Sequence, residues 1–126
     1  MSTIEIKREY GELDTIVFSF RYILLSENQK NDIIAELRTT NVVIESYSSE
    51  VNNHIVKMDL NESIDPKIIE ELNERLGIPK ANYGVWVSLT TYYDHSGLSF
   101  PNHVVDFIRI VGGQVDVSTI MISKEE

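Results

Sequence analysis

The chain has no cysteine, few prolines and no long apolar run, and it is short of positive charge, with 11 Lys+Arg against 20 Asp+Glu in 126 residues. Each shortage closes a class of protein. Without cysteine there is no disulfide scaffold, no thiol nucleophile and no thiolate metal site, and a reducing compartment suits such a chain. The longest apolar-rich stretch, Ile16 to Leu25, is interrupted by Ser19 and Arg21. It falls far short of the ~20 residues a membrane span needs. The first residues, MSTIEIKREYGELD, are charged throughout and lack the apolar centre of a secretory signal. These features read as a soluble, cytoplasmic protein. Nucleic-acid binding draws on clustered Lys and Arg, and no such cluster is present. There is also no glycine-rich nucleotide loop, no metal-spaced cluster and no Gly-x-Ser-x-Gly elbow, so no cofactor is expected.

What is present is a globular composition with an acidic bias. Hydrophobic content of 42% supports a packed core in one domain spanning residues 1–126. The net charge is -9. Six acids, Asp59, Glu62, Asp65, Glu70, Glu71 and Glu74, fall in one segment whose single base is Lys67, so that segment alone carries -5.

The hydrophobic pattern predicts an α+β fold. Ile16, Phe18, Phe20, Tyr22 and Leu24 alternate with Thr15, Ser19 and Arg21, the period of a strand with an aromatic core face. Ser26 and Gln29 have the spacing of a capping box, and Ile33, Ile34 and Leu37 supply the stripe of a helix ending near Arg38. Val42–Ser48 and Ile55–Leu60 read as an antiparallel hairpin about a polar turn at 49–53. Asp65 and Pro66 open a second helix and Gly77 closes it. Its expected buried stripe is Ile68, Ile69, Leu72 and Leu76, with Glu70, Glu71, Asn73 and Glu74 facing solvent. Tyr83–Tyr93 is a further strand, with Val85, Val87 and Leu89 on one face and Trp86 and Tyr92 on the other. A third helix over about Pro101–Val111 turns Val104, Phe107, Ile108 and Val111 inward, and Gln114–Ile122 is a last strand. Ile4–Lys7 adds a short edge strand. The order β-α-β-β-α-β followed by α-β predicts a ferredoxin-like sandwich, extended by its last two elements, with helices on one face of a mainly antiparallel sheet.

The C-terminal half carries a family resemblance. Trp86-Val87-Ser88, Gly97-Leu98-Ser99, the run from Phe107 to Gly113, and Val115-Asp116-Val117 resemble the end of the DUF4279 family, with its Trp-containing strand, Gly-containing turn, helix and final strand with Asp. Phe18-Ser19-Phe20-Arg21-Tyr22 before a helix fits as well. The resemblance implies a small bacterial or phage-type domain and no particular activity.

The residues that could carry chemistry form no site in the sequence. Asp94, His95 and Ser96 are the three residue types of a hydrolase triad, but as neighbours on a turn their side chains diverge. His103 and Asp106 share a helical face and make only two of the three or four protein ligands zinc requires. No metal site and no catalytic residue is expected. The acidic segment and the aromatic residues Trp86, Tyr92 and Tyr93 point instead to binding. The expectation is an acidic domain of the inhibitor or immunity type that occludes the cleft of a basic toxin or nuclease, with Asp59, Glu62, Asp65, Glu70, Glu71 and Glu74 as its charged face. The alternatives are a DUF4279-like binding or oligomerisation domain, homodimers included, and an enzyme whose site is assembled across the sheet.

Overall fold

The computed structural model describes residues 3–7, 13–40, 43–50, 53–91 and 99–121. Six strands and three helices follow in the order β1 (Thr3–Lys7), β2 (Leu13–Leu25), α1 (Glu27–Leu37), β3 (Ile44–Glu50), β4 (Asn53–Asp59), α2 (Pro66–Leu76), β5 (Tyr83–Thr91), α3 (Asn102–Val111) and β6 (Gln114–Met121). Five strands lie in the order β3-β4-β2-β5-β6. β1 pairs with the first half of β2, on the side where β4 takes the second half. All pairs are antiparallel except β5 with β6, a parallel pair whose crossover is α3. The fold is therefore α+β around a mostly antiparallel sheet. The hairpin is tighter than the sequence predicts. β3 and β4 extend through Glu50 and Asn53, so most of the expected turn is strand.

One core holds the layers together. β2 contributes Ile16, Phe18, Phe20 and Tyr22, β4 contributes Val56 and Met58, and β5 contributes Val85, Val87 and Leu89. The helices answer with Ile33 and Leu37, Ile69 and Leu72, and Val104, Phe107 and Val111. Each such side chain, taken fully out of water, contributes about 1.5–3 kcal/mol. The Phe20 ring stands edge-on to both Tyr22 and Phe107, each with centroids 5.0 Å away.

Local signals in the sequence set the helix ends. Ser26 and Gln29 form the reciprocal capping box. Asp65 accepts from the Lys67 amide at 3.0 Å. Gly77 takes the left-handed conformation at φ 65° and ends α2. β6 lies close to β5 because Gly84 has no side chain; a Cβ there would stand 2.1 Å from the Gln114 carbonyl oxygen.

The alternation in β2 fails at its end. Leu24 is expected inside, yet it is 53% exposed and Leu25 is fully buried in its place. Leu24 has φ 56°, and the pairing with β4 shifts between Tyr22 and Leu25. One extra residue in β2 is a bulge, and it reverses the facing of everything after it. A leucine in the left-handed region costs about 1–2 kcal/mol. Leu24→Gly is accordingly expected to leave stability unchanged or to raise it by about 0.5–1 kcal/mol. Thermal unfolding beside Leu24→Ala, which keeps the strain, checks this. A loss above about 1 kcal/mol for the glycine variant would mean that packing of the side chain outweighs the strain.

Candidate binding surfaces

α2 is amphipathic, but its inner face is rotated from the expected one. Ile69, Leu72 and Asn73 are buried, Leu76 is half-buried and Ile68 is 39% exposed. At 100° per residue Ile69 and Leu76 lie near the centre of the buried arc, Leu72 and Asn73 form its two edges, and Ile68 falls about 40° outside it on the Leu72 side. Asn73 points inward for a chemical reason: its side-chain oxygen accepts the hydroxyl of Tyr22, which is itself buried. Burial, with the neighbouring Tyr83, holds the Tyr22 hydroxyl far above the ordinary tyrosine pKa. Tyr83 is raised too, first by burial and then by Glu70 and Glu74, against a lowering contact with Asn73.

The six acids of the charged segment do not make one patch. Glu70, Glu71 and Glu74 are exposed on α2. Lys67 precedes Glu70 and Glu71 by three and four residues and so shares their side of the helix. Arg75 reaches across to Glu36 of α1 at 3.4 Å. The Asp65 carboxylate is engaged in capping. Glu62 lies 4.0 Å from Nδ1 of His103, beside a polar cavity of about 410 Å³ lined by Asn61, Glu62, Ser63 and His103. Asp59 sits opposite Ser19 on β2, so it lies on the sheet face away from α2. Sequence adjacency is lost here because the chain turns from strand to helix between Asp59 and Asp65.

That far face of the sheet is the second surface. Register puts Ser19 opposite Asp59 and Trp86, Arg21 opposite Lys57, Trp86 opposite Asp116, and Lys57 opposite Glu45. All have core residues as sequence neighbours within their strands or pair with residues that do, so all point away from the helices. Trp86 is half-buried, and the Arg21 guanidinium carbon stands 5.5 Å from its ring centroid. Arg21 Nε is out of solvent with no hydrogen-bond partner among the described residues. Val17, Ile23 and Ile55 are half-buried on the same face, and Tyr47 is exposed. Towards β3 a cavity of about 260 Å³ is lined by Val43, Glu45, Lys57, Met58 and Asp59. The face thus holds an aromatic–arginine centre with Glu45, Asp59 and Asp116 around it.

The remaining candidates separate. Asp106 accepts Arg109 Nη2 at 3.0 Å while His103 turns to Glu62, so the two do not act as a ligand pair. His54 is engaged with Ser48 across the β3–β4 hairpin. No group of three metal-ligating side chains occurs among the described residues. Tyr92, Tyr93, Asp94, His95 and Ser96 lie outside them. Tyr83, near Trp86 in sequence, faces the core, with its ring centroid 5.9 Å from that of Phe20. No described helix is long and apolar enough to cross a membrane.

Arg21 and Asp116 entered the sequence reading only as members of strands, and Lys57 and Glu45 not at all; none was read as a site residue. Their shared signal is a position that alternates with the inward-facing residues of its strand. That places each on a face but gives no partner until the strands are set in register. Comparison with family models, curated proteins and solved structures gives no match to this chain.

Proposed function

We propose that this chain is a small acidic protein-binding domain of the inhibitor or immunity type, which occludes the basic cleft of a toxin or nuclease. Its scaffold reads as a ferredoxin-like unit formed by β2-α1-β3-β4-α2-β5 and extended by α3 and β6. The order β5-β2-β4-β3, with every neighbour antiparallel, supports that reading. The observation that carries the functional proposal is the Trp86–Arg21 stack on a sheet face that no described helix packs against. Trp and Arg are the residues that most often dominate binding energy, and they do so at the centre of a patch rimmed by polar groups.

The acids have a separate role in this proposal. A net charge of -9 attracts a basic partner over distances of a Debye length, whichever face makes contact. Glu70, Glu71 and Glu74 act through that field, and the open face makes the contact. The test is association kinetics with the basic protein captured by the chain, the product of an adjoining gene being the first to try. Changing the three glutamates together to lysine is expected to slow association by about tenfold or more at low salt and to flatten its salt dependence. The dissociation rate should stay within about twofold of wild type, because no contact is lost. Unchanged association at low salt would remove the electrostatic part of the proposal. A large rise in dissociation rate would move the contact surface to α2.

A further inference from the structure

β6 ends the sheet on one side, with β5 its only partner among the described residues. A free edge offers a row of unpaired N–H and C=O groups, and natural edges are protected by lysine, proline, bulges or short length. β6 has none of these. Its eight residues pair with β5 in unbroken register from Gln114 to Met121, without proline, glycine or base. The β3 edge differs, with a register shift between Ser48 and Glu50. On β6, Val115 and Val117 lie on the helix side, opposite the core residues Val85 and Val87, yet they are 45% and 52% exposed. The helix layer stops short of them. His103 marks the side of α3 turned towards the start of α2, and Val105 lies about 200° round the helix from it. Val105 is 46% exposed on that outer flank.

We infer that this edge receives a second copy of the chain, joined β6 to β6 antiparallel about a two-fold axis normal to the sheet. Such an axis keeps each face on its own side, so residues of like parity pair. With Val117 on the axis, Val115 meets Thr119, Asp116 meets Ser118, and Gln114 meets Ile120. Charge selects the occupant. Two copies at -9 repel each other over most of their surface, and β6 offers a nearly neutral edge on which Asp116 is the one charge and, in this register, faces Ser118 and not its own copy. A basic partner finds little counter-charge there. The contact, one strand with its exposed valines, is smaller than the ~20–30 residues a side of a standard interface, so the dimer is weak, with a Kd of about 10–100 µM. The axis normal to the sheet leaves both Trp86 faces on the same side. The dimer therefore presents two copies of the open surface together.

Sedimentation of the intact chain from about 10 µM to about 1 mM is the test. It is run at about 0.05 M and about 0.5 M NaCl. The mass is expected to rise with concentration from 14.4 kDa towards twice that value, and to do so more readily at high salt, where self-repulsion is screened. Val117→Lys puts like charges on the axis and should weaken the dimer at least about tenfold with an unchanged circular dichroism spectrum. Should that variant unfold, Thr119→Lys at an exposed position is read the same way. Val43→Lys on the far edge should leave the dimer intact. A monomer across the whole range would overturn the inference. So would a dimer indifferent to the β6 variants, or one lost equally with Val43→Lys.

Discussion

Phe20→Ala is expected to lower the stability of the fold by about 3–5 kcal/mol, the range for emptying a large aromatic site in a packed core. Phe20 is fully buried at the middle of β2, the central strand in the order β3-β4-β2-β5-β6. Its ring meets Tyr22, Tyr83 and Phe107, so the cavity would open between β2, β5 and α3 at once. A domain of this size has only about 5–15 kcal/mol in total, so the variant sits close to unfolding. Phe20→Leu keeps most of the volume and should lose much less, about 1–1.5 kcal/mol. Urea unfolding with an unchanged slope measures both. A loss below about 1 kcal/mol for the alanine variant would mean that the core is not organised around β2.

Features determined by short stretches of chain were legible in the sequence. The Ser26 capping box, the Asp65–Pro66 opening and Gly77 close of α2, and the alternation of β2 through Tyr22 each depend on residues within one turn or one strand. What failed depends on tertiary context. Leu24 continues the alternation perfectly, and only the pairing with β4 produces the bulge that exposes it. Asn73 looks like a solvent residue, and it is buried because Tyr22, 51 positions away, needs an acceptor. The charged surface failed for the same reason. Asp59 and Glu70 are close in sequence but lie on opposite sides of the sheet. Arg21 and Trp86 are far apart in sequence but stack because β2 and β5 are in register. The facing of Trp86 was legible, since its place between Val85 and Val87 already turns it away from the core.

The central claim is that the open sheet face, not the acidic helix, makes the contact with a protein partner. Trp86 is half-buried beneath Arg21, so its removal should leave the core intact, and circular dichroism and the unfolding midpoint confirm that the variant is folded. The residues on its face fit the rim of a hot spot: Val17 and Ile23 are half-buried there, and Asp59 and Asp116 are the carboxylates that would meet a basic partner. A hot-spot tryptophan contributes about 2 kcal/mol or more on truncation, which is about a thirtyfold weaker Kd. The loss should lie in dissociation, since the field that steers association is unchanged in this neutral substitution. The most direct measurement is therefore the equilibrium affinity and dissociation rate of folded Trp86→Ala for the captured basic partner, beside wild type. The account predicts at least a thirtyfold loss of affinity, carried by faster dissociation. Wild-type affinity in a folded Trp86→Ala chain would contradict it.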